Sequence, residues 1–343
     1  MAIQLHEKYR KALVERYAHK SYVKGRTSEE YEWEGVAAIT LTAIQTQPLN
    51  DYTRTGASRF GEAKEVQDEN QRIAITQDKA FALTVDNANF KQQSGQKKAG
   101  KVLKAQNDEQ VVPFWDKYAL SKFVAQAGKS VVSSAALTKS NIVTALMEAN
   151  EHFVENGISM ENTTCYMTAK NYTKLRTSPE FLAVDTLANK ILTTGLVGKC
   201  CDFDIVVVPG SYLPSGVEFL CTKKDAVVLP MQINKTKVHQ DPPGIDGVLL
   251  EGHYLGDAGV VFSKANGVYV LLASGATKVA TPTIDAEAGT IACSTSGATI
   301  KYTVDGSDPR YSTTAEIYTS ALGAGKAIRA YAYMANAFAS DVA

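Results

Sequence analysis

The sequence predicts an α+β body followed by a small all-β domain, and three observations carry this prediction. Residues 47–89 alternate apolar and polar side chains, as a β-ribbon does. Residues 140–156 repeat apolar side chains at helical spacing along one stripe. From Ala273 onward the chain is rich in Thr, Ser, Ala and Gly and poor in helix signals. We therefore assign residues 1–274 to the body and residues 275–343 to the second domain.

The composition indicates a folded chain without an overall electrostatic preference. With 343 residues, 45% of them hydrophobic and 21% charged, the chain can bury a sizeable core in more than one domain. Its 36 basic and 36 acidic residues cancel, so net charge favours neither nucleic acid nor membrane. We expect no membrane partner and no secretory signal, because no apolar run is long enough. The five cysteines share no metal or disulfide spacing, which favours reduced thiols in a cytosol.

The N-terminal part is predicted to be an arm over residues 1–45 and an extended loop over residues 46–90. The loop starts as a strand at 47–52, turns through a Gly- and charge-rich tip at 55–70, and returns as a second strand. The returning strand has apolar side chains at period two, namely Ile73, Ile75, Phe81, Leu83 and Val85. A two-stranded ribbon with one thin apolar stripe is marginally stable in water. We therefore expect another copy of the chain to supply the missing surface.

A lysine-rich segment joins the loop to the first helix of the body. Residues 91–104 contain five lysines and no acid. Gly95 to Lys101 have the spacing of a phosphate-binding loop, but Val102 replaces the Ser or Thr that would hold magnesium, and no apolar strand precedes the glycine. We interpret the segment as a flexible connector and expect no nucleotide there.

Two helices are clear in the body. Pro113 fits the first turn of a helix that ends at Gly128. Ser140 is a good N-cap for a longer helix to Asn156, whose apolar stripe consists of Ile142, Leu146, Ala149 and Phe153. Beyond it we predict a short helix at 169–175, a helix start at 178–181, strands at 165–167, 205–208, 219–221 and 226–231, and a hairpin of strands 260–262 and 268–272.

The C-terminal domain has short strand patterns at 290–294, 299–304, 316–318 and 327–333. This spacing is typical of a small β-sandwich. We interpret it as a separate domain joined to the body.

The residues indicate no catalytic, cofactor or metal site. The five histidines are scattered, and we interpret His152, on the long helix, as a packed or surface side chain. Asp202 and Asp204 could meet a metal, but as i, i+2 residues entering a strand they more simply share an exposed face. The sequence has no Gly-x-Ser-x-Gly nucleophile elbow. We therefore predict that the chain is not an enzyme and uses no cofactor.

The order of the body's elements resembles the HK97-like fold of tailed-phage major capsid proteins, with an N-terminal arm, an extended loop, a spine helix and a mixed α/β axial domain. The resemblance rests on residues 77–86 (QDKAFALTVD), 140–156 in the spine position, 167–172 (MTAKNY) with Leu175 and Arg176, and 204–209 (DIVVVP). It covers about residues 1–273. It implies that the spine helix and the strands near 260–272 form the peripheral domain, and that residues 160–255 form the axial domain.

The C-terminal domain has a sharper resemblance. Residues 298–309 (ATIKYTVDGSDP) are similar to the immunoglobulin-like module at the C-terminus of chitobiases and β-hexosaminidases. Asp305-Gly306 and Asp308-Pro309 are turn formers after a strand. The module carries no catalytic residue in those enzymes, so the resemblance implies an immunoglobulin-like decoration domain on the outside of a shell. We accordingly expect shells to form without residues 275–343.

The resemblance to capsid proteins implies a major capsid protein that builds an icosahedral head in the bacterial cytoplasm and stays in the virion. Its partners would be copies of itself in hexamers and pentamers, packaged double-stranded DNA bound without sequence preference, and a separate scaffold and portal. The extended loop would lie over a neighbouring subunit, and the candidate contact residues are Trp33, Tyr52, Arg54, Arg59 and Phe60. The candidate DNA-facing residues are Lys97, Lys98, Lys101 and Lys104.

Two other functions stay open at this point. A carbohydrate-active enzyme, or a glycan-binding accessory protein, could carry the same C-terminal module and would be secreted and monomeric. A phage tail-tube or decoration protein would instead form rods or bind preformed heads.

Overall fold

A computed structural model describes residues 20–30, 38–44, 46, 49–55, 59–61, 65–66, 68–87, 99–179 and 196–343. The helices are α1 (Ala99–Gln106), α2 (Val112–Ala125), α3 (Ile142–Glu155) and α4 (Ala169–Arg176). The strands of the body are β1 (Ala38–Ile44), β2 (Asp68–Ala74), β3 (Gln77–Asp86), β4 (Lys129–Val132), β5 (Thr163–Thr168), β6 (Leu196–Cys200), β7 (Phe203–Val208), β8 (Val217–Lys223), β9 (Val227–Val228), β10 (Met231–Gln240), β11 (Gly247–Gly256), β12 (Gly259–Val260) and β13 (Val268–Leu272). The C-terminal domain contains β14 (Thr283–Asp285), β15 (Thr290–Ala292), β16 (Thr299–Thr303), β17 (Glu316–Ile317) and β18 (Arg329–Tyr333).

The centre of the body is a six-stranded mixed sheet between two helices. Its strand order is β4-β13-β8-β5-β7-β6, with parallel pairs at β4/β13 and β5/β7. Helix α3 covers one face and α2 covers the other, so two apolar cores form, one on each side of the sheet. Strands β5, β7 and β8 are buried along most of their length on both faces, and β7 accordingly contains the apolar run 205–208. The predicted α+β class and these central strands are confirmed, as is the short helix α4.

The apolar stripe of α3 explains its position. Ile142, Leu146, Ala149 and Phe153 are all fully buried against the sheet. The helix begins one residue later than predicted, with Asn141 rather than Ser140 at its N-cap. The Asn141 side-chain oxygen accepts a hydrogen bond from the Thr138 N–H at 2.6 Å, and its amide donates to the Ala136 carbonyl at 3.1 Å. These bonds shape the turn that precedes the helix.

The sequence predicted the longer helix of the body at residues 140–156, but the longest helical element of the described body begins at Ala99. Helix α1, a π-helical turn (Asn107–Val111) and α2 follow one another without a break over about 40 Å. The interpretation of residues 91–104 as a flexible connector is therefore wrong from Ala99 onward. The π turn places Pro113 at the second position of α2, where its missing N–H is tolerated. The predicted position of Pro113 in the first turn of a helix is therefore confirmed, although α1 and the π turn precede that helix.

The described body contains the six-stranded sheet and a separate long hairpin, and the division into peripheral and axial domains stays a prediction. Helix α3 and strand β13 share the six-stranded sheet with β5, β7 and β8. Strands β10 and β11, which the prediction placed in the axial domain, form a long hairpin outside that sheet. Strands that are close in sequence, such as β11 and β13, therefore lie in different sheets, and each sheet buries a different apolar face.

The extended loop is only partly as predicted. Its ribbon pairs β1 with β2, from Ala38↔Ala74 to Ile44↔Asp68, so the first strand is 38–44 rather than 47–52. The returning strand continues as β3, which pairs along its whole length with β11 of the same chain. The expectation that this segment needs another copy to pair with is therefore wrong for residues 77–86. The β10–β11 hairpin supplies the free edge that β3 occupies.

The predicted hairpin of strands 260–262 and 268–272 does not form. Phe262–Gly267 is a 3₁₀ helix, β12 pairs with β9, and β13 lies between β4 and β8. All five residues of β13 are buried, which suits an internal strand rather than one arm of a surface hairpin. The predicted helix start at 178–181 lies mostly outside the described residues.

The C-terminal domain has its strands where the sequence placed them. Strands β17, β16 and β18 form one antiparallel sheet, and β14 with β15 forms a second. This domain is not merely joined to the body by a linker, since Tyr311 is buried in the same apolar core as the α2 side chains Leu120 and Phe123. The two domains therefore share part of one core.

Candidate assembly surface

The ribbon formed by β1 and β2 is attached to the body through Gln71, at the middle of β2. This β2 side chain is 2% exposed. Its amide donates to the Val260 carbonyl at 2.9 Å, and its oxygen accepts the Phe262 N–H at 3.0 Å. Val260 ends the short β12 strand and Phe262 lies two residues beyond it, so one glutamine joins the ribbon to this part of the body through two buried hydrogen bonds. Such bonds are costly to break because each leaves a buried polar group without a partner.

A second attachment lies where the ribbon passes into β3. The Asp257 carboxylate, on a residue that is 2% exposed, accepts hydrogen bonds from the Thr76 N–H at 3.0 Å and the Thr76 hydroxyl at 2.7 Å. It also accepts from the Tyr118 hydroxyl at 2.7 Å and the Ala258 N–H at 2.7 Å. Burial raises the pKa of Tyr118 to about 12, so the phenol remains a proton donor to this carboxylate. The direction in which the ribbon leaves the body is fixed by these contacts.

The segment between β1 and β2, here called the ribbon tip (residues 46–66 where described), presents apolar side chains to solvent. Leu49 is fully exposed, and Phe60 and Tyr52 are 84% and 53% exposed. The Tyr52 and Phe60 rings meet edge to face at 5.1 Å, and the Thr53 N–H donates to the Arg59 carbonyl at 3.1 Å. The tip is thus locally ordered around an aromatic pair that has no cover from the described body. Exposed apolar surface is common at interaction sites, so the predicted contact role of the tip is compatible with its exposure.

The predicted contact residues can now be located. Tyr52, Arg54, Arg59 and Phe60 all lie in the ribbon tip and are exposed, while Trp33 lies outside the described residues. Sequence reasoning did not select the exposed side chains Leu49 and Val66 of the tip, nor Ile44 at the adjoining end of β1. An apolar residue inside a Gly- and charge-rich stretch was the signal that could have found them.

Of the four predicted DNA-facing lysines, two lie within the described residues. Lys101 and Lys104 project from α1 and are exposed, whereas Lys97 and Lys98 lie outside the described residues. Helix α1 has no acidic residue in its first turn and no buried residue. The two lysines are three residues apart, so they lie on the same side of the helix.

The side chains considered in the sequence as catalytic or metal-binding candidates pack against or pair with neighbouring residues. The His152 ring packs 5.5 Å from the Tyr269 ring, and burial lowers the pKa of His152. Asp204 pairs with Lys199 at 3.8 Å, and Asp202 accepts from the Asn150 amide at 3.3 Å. Within the described ranges, no three His, Cys, Asp or Glu side chains converge as a metal ligand set. None of the helices in the described part of the chain is long and apolar enough to span a membrane.

Comparisons with known proteins agree with both parts of the chain. The "Fn3 associated" family model matches residues 290–343. Among solved structures, the capsid structure of the cyanophage P-SCSP1u is similar with a TM-score of 0.60 at 12% identity, over 76% of this chain and 90% of that one. The mature capsid of bacteriophage PhiM1 gives 0.59 at 12%, over 80% and 92%, and a structure from Mycobacterium phage Che8 gives 0.58 at 17%, over 78% and 96%. No curated protein matches the sequence.

These likenesses confirm the predicted HK97-like fold, since each similar chain is matched over 90% or more of its own length. The identities are too low to show more than the fold. The family match at the C-terminus agrees with the predicted immunoglobulin-like module.

Proposed function

We propose that this chain is a major capsid protein, which self-assembles into the icosahedral head shell that encloses phage double-stranded DNA. The single observation that carries the proposal is the fold, because two of the similar chains are capsids by name and are matched almost completely. The ribbon tip supports it independently. A fixed base that presents an uncovered aromatic pair suits a contact between copies of the chain.

Repetition turns such contacts into a stable shell. One tip presents few apolar side chains, so a single contact is weak. Each subunit in a closed shell makes the same contact and also receives it, which multiplies the effective strength. Symmetry then requires the receiving surface to be complementary to the tip on every copy. Hexamers and pentamers of the chain are therefore the partners that the proposal implies.

The remaining partners follow from the same role. Lys101 and Lys104, with Lys97 and Lys98, would face packaged DNA as a sequence-independent, salt-sensitive surface. A separate scaffold and a portal would direct assembly in the bacterial cytoplasm. We assign the chain no enzymatic activity, because the role requires only association.

Expression of the full chain alone, followed by sedimentation and negative-stain electron microscopy, tests the proposal. Closed shells or capsomer rings are the expected result. Rods would instead support a tail-tube protein, and particles that bind only to preformed heads would support a decoration protein. A permanently monomeric chain that retains or cleaves glycans would support the carbohydrate-active alternative.

A further inference from the structure

One contact between the C-terminal domain and the body is made by a preformed loop, here called the docking loop (residues 305–312). The Asp305 carboxylate holds its first turn by accepting hydrogen bonds from the Ser307 N–H at 3.0 Å and the Ser307 hydroxyl at 2.5 Å. The Thr314 hydroxyl donates to the other carboxylate oxygen at 2.6 Å. The Asp-Gly-Ser-Asp-Pro run that identified the module therefore shapes a loop whose second half faces the body.

Arg310 and Tyr311 join this loop to the end of α2. The Arg310 guanidinium pairs with the Asp308 carboxylate at 2.7 Å and also donates to the Ala127 and Gly128 carbonyls at 2.8 and 3.0 Å. Its side chain is only 13% exposed. The Tyr311 hydroxyl donates to the Gln126 carbonyl at 2.5 Å. The carbonyl of Gln126, the C-cap of α2, and the carbonyls of the next two residues thus receive donors from the other domain. The C-cap carbonyl is one of the groups that a helix leaves unpaired.

The same loop reaches the ribbon. The Asp308 N–H donates to the Glu69 carboxylate, on β2, at 2.8 Å. Ser312 forms an isolated antiparallel bridge with Gln71, the residue that fastens the ribbon to the body. The docking loop therefore contacts β2 at Glu69 and at Gln71. Both residues belong to β2 and not to the ribbon tip.

A second attachment fixes the far side of the module to the edge strand β4. Asp341 lies between Lys278, at 3.0 Å, and Lys129 of β4, at 3.2 Å. The Lys278 ammonium also donates to the Ser130 carbonyl at 2.5 Å. Burial alone would raise the pKa of Asp341, but the two lysines outweigh it and hold that pKa below its ordinary value. With two attachments on separate elements, the module cannot rotate about a single contact.

We propose that the C-terminal module is a brace that fixes the direction of the ribbon for assembly, rather than a decoration of the finished shell. The inference rests on the proposed function, since a fixed ribbon matters only if its tip meets another copy. It reverses the expectation from sequence that shells form without residues 275–343. Removal of the module would leave the α2 end, the core side chains around Tyr311 and the Glu69 carboxylate without their partners.

Two pairs of single substitutions in the full-length chain test the brace. Glu69→Ala removes the acceptor for the Asp308 N–H, while Glu69→Gln keeps an oxygen in its place. Tyr311→Phe removes only the hydroxyl that bonds the α2 end, while Tyr302→Phe removes a hydroxyl that bonds Glu316 within the module. We expect hydrogen exchange of residues 68–74 to accelerate about tenfold in Glu69→Ala and to stay near wild type in Glu69→Gln. Tyr311→Phe is expected to accelerate the same amides, and Tyr302→Phe is not.

Shell yield, measured by sedimentation of the same variants, completes the test. Glu69→Ala and Tyr311→Phe are expected to lower the yield, with exchange of β16 and β18 unchanged as the sign that the module stays folded. If both variants keep wild-type ribbon exchange and wild-type yield, the brace is disproved while the capsid function stands. If the wild-type chain itself forms no shells, the proposed function fails, and ribbon exchange in the subunit still decides whether the module braces it.

Discussion

Asp257 is a single side chain that joins three parts of the body, and its replacement makes the first prediction. Asp257→Ala leaves the Thr76 N–H and hydroxyl, the Tyr118 hydroxyl and the Ala258 N–H without their acceptor. We expect it to lower the free energy of unfolding by about 2–4 kcal/mol, because buried donors lose their partners. Tyr118→Phe removes one donor and should cost about 1 kcal/mol. Urea denaturation of the subunit measures both. Equal losses in the two variants would show that Asp257 does not organise the cluster.

His152 makes stability depend on pH near neutrality. Burial lowers its pKa below the ordinary value of 6.5, and Lys129 lowers it further, while the Asn266 carbonyl, Asp341 and Glu155 oppose them. The folded protein therefore prefers the neutral ring. Its contribution to stability is complete above about pH 6.5 and is lost as pH falls from there through the folded pKa. The urea midpoint should decrease between pH 7.5 and pH 5.5, and His152→Gln should reduce that decrease. An unchanged pH dependence in the variant would contradict the assignment.

Two adjacent residues of helix α3, one buried and one exposed, allow the effect of burial on stability to be distinguished from the effect of helix propensity. Leu146 is fully buried against the six-stranded sheet, whereas Met147 is 58% exposed on the same turn. Leu146→Ala should lower the free energy of unfolding by about 2–5 kcal/mol through lost burial and a residual cavity. Met147→Ala should change it by about 0.5 kcal/mol or less. Chemical denaturation checks the difference, and similar values for both would mean that α3 does not pack as described.

Elements with a strong internal pattern were predictable from sequence, and elements defined by distant partners were not. The stripe of α3, the apolar runs of β5 and β7 and the turn-bounded strands of the C-terminal domain each carry their own signal. In contrast, β3 needs the edge of β11, a strand more than 160 residues away, and β13 needs β4 and β8. Helix α1 was missed because its side chains are only half-buried, so its pattern is weak. Phe60 and Tyr52 were predictable as exposed contacts, while the docking of Tyr311 depends on tertiary packing alone.

The subunit has one part whose apolar side chains are buried within the chain and another part, the ribbon tip, whose apolar side chains are exposed. The two cores around the six-stranded sheet, the β3–β11 pairing and the docked C-terminal module bury their apolar side chains within the chain. The ribbon tip does not, although its base is fixed by Gln71, Asp257 and Glu69. In this arrangement the buried residues of the body determine the stability of the subunit, and the exposed residues of the tip determine its association with other copies. Substitutions in the tip should therefore change assembly without changing folding.

Phe60→Ser tests that separation. The ring is 84% exposed in the subunit, so its loss should change the free energy of unfolding by about 0.5 kcal/mol or less. In a shell the same ring would be buried against a neighbour, and each of many contacts would lose about 1.5–3 kcal/mol of apolar burial. Because the loss repeats around the shell, we expect closed particles to disappear at concentrations where the wild type assembles. Val304→Ser, which replaces a 47% exposed apolar residue of the C-terminal module, serves as the control and should assemble normally. Normal shells from Phe60→Ser, at wild-type concentration and yield, would remove the ribbon tip from the assembly contact.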